Sequence, residues 1–473
     1  MFGRFSRVQS LALVLALWVL GGFADASAQS PAPTGSLRAR EFRPGSVRGM
    51  QDIPLSRLRI DLSRLSDNAR TNAIGRLQRF HFTGLDLVSL RADETGGIFY
   101  EDHFALPPAE GLPSGGSGGS TVPVVESLVP VSPFPTSLVF HSRPGSTNVL
   151  FINFAGETVT GTSWNTSLGR TSIPATTFST DGDFTTFSDA EQLAIKRVWQ
   201  RVAEDYAAFN IDVTTERPAT FTRWTAHALV TRNTDVNGLD NPSATAGGVA
   251  YVNVFGSSTY STSRPAWIYY NNLANSESYI AEALSHEIGH NMGLSHDGTT
   301  DGLDYYGGHG SGPTSWGPIM GTGYNRNVSQ WSKGDYYHSN NSQDDLAIIS
   351  GKVGYRPDDH GNTAGTASQL SVGADGSVIA TTPETDPTNA NPANKGVLER
   401  NTDVDVFAFV AGTGPVDLTV SGWVTPGGIT RGGDVDIALD LYDAAGTLLL
   451  TSDPADQTAA SIQTNLEIGR AHV

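Results

Sequence analysis

The chain has 473 residues, too many for one ordinary core, so two or three folded units are expected, and 38% hydrophobic residues is enough to bury them. Its 30 basic against 48 acidic residues give a formal net charge of −18, which excludes a nucleic-acid or anionic-membrane surface and fits a soluble, self-repelling exterior. Cysteine is absent, so neither disulfides nor a thiolate contribute to stability or regulation.

Residues 1–28 read as an export signal. Arg4 and Arg7 form a basic start, an apolar run spans 11–20, and Ala26-Ser27-Ala28 is the small-x-small pattern of a cleavage site. The apolar run is short for a membrane span and no later one is long enough, so a secreted chain without membrane insertion after cleavage is expected, as a monomer. Residues 29–140 read as a pro-segment with a linker. Leucines and arginines at helical spacing (Leu55, Leu58, Leu62, Leu65 with Arg57, Arg59, Arg64, Arg70) predict an amphipathic helix within 55–80. A short strand is predicted over 96–100, and the Gly/Ser-rich run 113–120 is a flexible linker suited to proteolytic removal.

Residues 141–355 form the next unit. A buried strand is predicted over 149–154, and Ser188-Asp189-Ala190-Glu191 is a capping box that opens a helix running to about Phe209. Strands follow over 211–215, 226–231, 248–254 and 267–270, then a helix over 276–291 and a last one opened by Ser342-Gln343-Asp344-Asp345. This order is that of a mixed α/β domain. From 356 to 473 the composition turns to Thr, Gly, Asp and Val, and strands over 403–410 and 434–439 predict an all-β module. Residues 467–473 depart from that style and resemble translated adapter sequence, so the module is expected to be partial.

The chemistry concentrates in one segment. From His286 to His296 the chain reads H-E-x-x-H-x-x-G-x-x-H. Positions i and i+4 of a helix lie one above the other, so His286 and His290 present two imidazoles to one point, with Glu287 beside them. Gly293 can take a left-handed conformation that ends the helix and lets His296 return as third ligand. Three neutral imidazoles are the donor set of a catalytic Zn²⁺ with one open position for water, and Glu287 is placed as the base that takes that water's proton. The plain alternative, a helix with exposed histidines and a capping glycine, explains neither Glu287 nor His296. Downstream, Pro318-Ile319-Met320-Gly321 sets one of only four methionines in a tight turn.

Together these features resemble the metzincin zinc peptidases, with Met320 as their Met-turn under the metal. Asp297 after the third histidine resembles the reprolysin, or adamalysin, branch. The run Gly248, Val249, Ala250, Tyr251, Val252 is similar to that branch's edge strand, which lies antiparallel to a bound peptide. The resemblance spans roughly 141–355 and implies a mixed twisted sheet with helices, zinc at the active-site helix, Glu287 as catalytic base, and protein or peptide substrates. Relatives use a cysteine-based latch, which this chain lacks. Tyr324 lies four residues beyond Met320, where related branches place a metal-approaching tyrosine two beyond, so it reads as structural.

His309 reads as a solvated loop residue and His227 as a core one. Asp358, Asp359, His360 and Asn362, with Asp403 and Asp405, resemble a bacterial pre-peptidase C-terminal β-sandwich. Its acidic positions, Asp434 and Asp436 among them, are either Ca²⁺ ligands or solvated turns. A zinc-dependent endopeptidase is the leading expectation. A secreted binding or adhesion protein on a peptidase-like scaffold is the alternative, and hydrolysis of a non-peptide amide or ester is a third.

Overall fold

A computed structural model describes residues 40–104, 106, 133–378, 394–422, 431–467 and 469–472. The expected export signal and the Gly/Ser run 113–120 lie outside the described residues. The N-terminal part contributes β1 (Glu41–Phe42), α1 (Arg57–Arg64), α2 (Asp67–Leu77), β2 (Phe82–Thr83), β3 (Leu90–Ala92) and β4 (Ile98–Asp102). The central part contributes β5 (Val149–Asn153), β6 (Glu157–Thr160), β7 (Ser172–Ala175), α3 (Asp189–Asp205), β8 (Asp212–Thr214), β9 (Thr225–Thr231), β10 (Gly248–Tyr251) and β11 (Ala266–Tyr269). It continues with α4 (Glu277–Met292), β12 (Trp316–Pro318), β13 (Val328–Gln330) and α5 (Asp345–Val353). The C-terminal strands are β14 (Ser368–Gln369), β15 (Phe407–Ala411), β16 (Gly414–Val420), β17 (Leu439–Tyr442), β18 (Leu448–Ser452), β19 (Ala460–Leu466) and β20 (Gly469–His472).

One seven-stranded mixed sheet, ordered β3-β4-β10-β11-β9-β5-β8, organises the molecule. Strands β11, β9, β5 and β8 run parallel, whereas β3, β4 and β10 pair antiparallel. At the parallel centre every residue of β9 is buried, as expected where both sheet faces are covered. Side chains alternate along it. Ala226, Ala228 and Val230 join Leu150, Ile152, Trp199, Val202, Leu284 and Ile288 under α3 and α4, while Leu229 joins Val249, Tyr251, Trp267 and Tyr269 on the other face. The Trp199 indole is fully buried and donates to Val213 O at 2.8 Å, so its large apolar ring is sunk without an unpaired N–H.

The helix expected within 55–80 is two helices. Leu65 is extended, the Ser66 hydroxyl accepts from Ala69 N–H to open α2, and the Arg70 guanidinium donates to Leu62 O and Leu65 O, closing α1. The sheet also differs from expectation at β10. It is no edge: β4 pairs along its outer side, so two N-terminal strands extend the sheet.

The C-terminal strands form a five-stranded sheet, β14-β15-β20-β17-β18, and a separate β16–β19 pair around Phe409, Leu439, Leu441 and Ile462. Both expected strands begin later in the chain. Asp403 accepts backbone N–H groups from Glu399 and Val404, a turn that delays the strand to Phe407. Residues 433–434 dock on the central part instead of pairing in the module. Ser329 N–H donates to Gly433 O at 3.0 Å, and Asp434 N–H donates to Glu204 Oε1 at 3.2 Å.

Candidate metal centre

Helix α4 is buried along nearly its whole length, so Ser285, His286, Glu287, His290 and Asn291 are held in the interior with its apolar residues. It ends where Gly293 turns left-handed at φ +113°. There Leu294 N–H donates to Gly289 O and Gly293 N–H to His290 O, a double cap that reverses the chain. The reversal brings His296 back toward His286 and His290. Asp297 fixes the returning loop: its N–H donates to Met320 O at 2.8 Å and its carbonyl accepts Tyr306 N–H at 2.6 Å. Met320 is fully buried under the helix, so close that a Cβ on Gly289 would lie 2.6 Å from its sulfur.

The hydrogen bonds settle the ring tautomers. His286 Nδ1 lies 2.9 Å from Ile319 O, and His290 Nδ1 lies 2.8 Å from Leu294 O. A carbonyl oxygen only accepts, so in the neutral rings both protons sit on Nδ1 and both Nε2 atoms carry lone pairs. His296 Nδ1 faces the Asp86 carboxylate at 3.1 Å, and the same reasoning applies. The three Nε2 atoms converge on a fourth group that the motif did not disclose, the carboxylate of Asp102. Its Oδ2 lies 3.1 Å from His290 Nε2 and 3.5 Å from His286 Nε2, and its Oδ1 lies 3.1 Å from His296 Nε2.

All four groups are buried, and one donor atom from each falls within 4.8 Å of the others. Lone pairs aimed at a carboxylate in a dry pocket repel unless a proton or a metal ion lies between them. Among the described residues, neither His286 Nε2 nor His296 Nε2 makes a hydrogen bond of ordinary geometry, close as Asp102 stands. Three nitrogens and a carboxylate oxygen are a donor set that zinc fits.

Glu287 is buried beside this group, and neither of its carboxylate oxygens has a hydrogen-bond partner. Burial, and then the neighbouring Asp102 charge, push its pKa well above the ordinary carboxylate range. It lies against Gly248 of β10, where a Cβ would come within 2.0 Å of Oε1. Val249 and Tyr251 point into the far core, and Ala250 joins the core under α4.

Tyr324 is buried, with its ring against Phe104 and Tyr279. His309 stands apart from the metal group and faces the Tyr306 hydroxyl at 3.0 Å. His227 is buried against Phe151 and Phe221, and burial lowers its pKa to about 4. Among the acidic residues of the C-terminal module, Asp358, Asp359 and Glu399 approach one another, as do Asp358, Asp403 and Asp405. Asp434 is not with them, lying half-buried beside Glu204, Asp205 and Glu282.

Asp102, Asp86, Tyr100, Phe104 and Tyr305 escaped the sequence reading. Tyr100 stacks on His290 at 3.9 Å, Phe104 meets His286 edge-on, and Tyr305 O–H donates to Asp102 Oδ1 at 3.0 Å. The available signal was alternation: Ile98, Tyr100 and Asp102 share the inward face of β4, and an acid on such a face is unusual.

Residues 168–332 match the model of metallo-peptidase family M12, of the reprolysin type. This match, over about a third of the chain, supports a reprolysin-like metallopeptidase. The matched stretch holds the histidine motif, Met320 and β10, and it leaves β4 and Asp102 outside. The seven-stranded mixed sheet is compatible with a metzincin-like domain. None of the curated proteins matches the chain.

Proposed function

We propose that the chain is a secreted zinc endopeptidase in which His286, His290 and His296 hold the metal and Glu287 is the general base. The observation that carries this reading is the convergence of three Nε2 atoms, each ring held by an acceptor on Nδ1, beside the buried Glu287 carboxylate, which has no hydrogen-bond partner among the described residues. Zinc, when bound, supplies Lewis acidity toward water and a peptide carbonyl. Glu287 then takes a proton from the attacking water and returns it to the departing amine.

Strand β10 offers main-chain groups to an extended peptide, and antiparallel addition there would bring a scissile bond to Glu287. The basic start, apolar run and small-residue site within 1–28 support export. Among the described residues no helix is long and apolar enough to cross a membrane. Substitution of Glu287→Gln tests the reading: peptide hydrolysis is lost while zinc stays bound.

A further inference from the structure

We propose that strand β4 is a built-in occupant of the peptide cleft, and that Asp102 at its end is a fourth metal ligand that holds the chain latent. The inference rests on the zinc-peptidase reading and names the regulation of that site. Strand β4 runs antiparallel to β10 with Gly248 opposite Asp102, Val249 opposite Glu101, Ala250 opposite Tyr100 and Tyr251 opposite Phe99. Gly247 N–H donates to Asp102 O at 2.8 Å and Val252 N–H to Ile98 O at 3.0 Å. A substrate peptide needs these same main-chain groups, since the other side of β10 is taken by β11. Occupancy by β4 and by substrate is therefore mutually exclusive.

At the end of that strand the Asp102 carboxylate stands where three imidazole lone pairs meet. With a cation among them its oxygens complete the coordination, so the position that water needs is filled by protein. The carboxylate is oriented rather than loose: Tyr305 O–H donates to Oδ1 at 3.0 Å, and the Tyr305 hydroxyl also meets Ser89 Oγ at 3.0 Å.

The rest of the N-terminal part holds the strand in place. Tyr251 O–H donates to Asp93 Oδ2 at 2.7 Å. Glu101, on the outward face of β4, pairs with Arg57 at 3.0 Å and Arg91 at 2.7 Å and accepts the Ser243 hydroxyl at 2.8 Å. Asp86 grips His296 at Nδ1 and takes the Tyr100 hydroxyl at 3.0 Å. A carboxylate thus does the work of the absent thiolate, and release requires the whole β3–β4 extension to leave the sheet.

The test uses the full chain loaded with Co²⁺ and titrated with acetohydroxamate, a small chelating probe, with visible absorption as the readout. The comparison is wild type, Asp102→Asn and Tyr305→Phe. A site closed 99 times in 100 weakens apparent probe affinity by about 100-fold. The expected result is one cobalt per chain throughout, hydroxamate binding tighter by about 100-fold in Asp102→Asn, and tighter by about tenfold in Tyr305→Phe through loss of an orienting donor. Stoichiometric cobalt with equal probe affinity in all three chains overturns the role of Asp102 and leaves the peptidase reading standing. Failure of the wild type itself to bind cobalt overturns the reading on which the inference rests.

Discussion

Gly248→Ala isolates the placement of the base from the binding of the metal. The added Cβ would lie 2.0 Å from Glu287 Oε1 and 2.5 Å from both Cδ and Cγ. Three atoms are involved, so the acid cannot escape by rotating its tip. Restoring ordinary carbon–carbon contact requires the carboxylate end to move by about 1 Å. Gly248 lies in extended β10 and has no positive φ, so the effect is steric and not a backbone penalty. Overpacking of this kind costs about 1–3 kcal/mol of stability, and a 1 Å misplacement of a catalytic group lowers turnover by about 10²-fold.

The assay is kcat/KM on a quenched fluorescent peptide, run on chains freed of the β3–β4 extension by cleavage in the Gly/Ser run 113–120, so that latency does not decide the outcome. Zinc content is measured in the same samples. The histidines are not displaced, so one zinc per chain is retained. Hydrolysis within twofold of the parent would refute the placement of Glu287 against β10.

Two further outcomes are expected. At the contact of residues 432–434 with the central part, the half-buried Glu204, Glu282 and Asp434 gather with the buried Asp205 and Arg201, and desolvation raises all four carboxyl pKa values, that of Glu204 to about 7. Groups raised in the fold stabilise it below their unfolded pKa and lose that contribution as pH rises through the folded value. The urea midpoint should therefore fall between pH 5 and pH 8, and Asp434→Asn should flatten the fall; a midpoint that rises over this range contradicts the assignment. Metal removal is the second. A ligand present at about 1,000 times its Kd stabilises by about 4 kcal/mol, so a chelator should lower the thermal midpoint and added zinc should restore it.

What the sequence disclosed was local. The ligands His286 and His290 share one helix, and Gly293 and His296 follow within a turn, so the spacing alone places three donors together. Strand β9 and helices α3 and α4 were readable for the same reason, because their burial follows a short period or a continuous apolar run. Asp102 lies 188 residues before His290, and no local pattern reports a contact of that separation. The strand reading stopped at Tyr100 because Glu101 and Asp102 are charged, although Asp102 completes the inward face.

In the C-terminal module two apolar runs were placed too early. Asp403 forms a turn through backbone acceptors, and Asp434 is drawn away to Glu204 across the fold. The split of the N-terminal helix at Leu65 likewise depends on Arg70 reaching back to two carbonyls, which hydrophobic spacing does not encode.

The central claim is tested most directly by zinc content and peptide hydrolysis measured together on wild-type and Glu287→Gln chains freed of the β3–β4 extension by cleavage in the Gly/Ser run 113–120. One zinc per chain in both, with turnover lowered by about 10²–10⁴-fold in Glu287→Gln, is the predicted result. Comparable hydrolysis by the two chains, or hydrolysis by a zinc-free wild type, would contradict it.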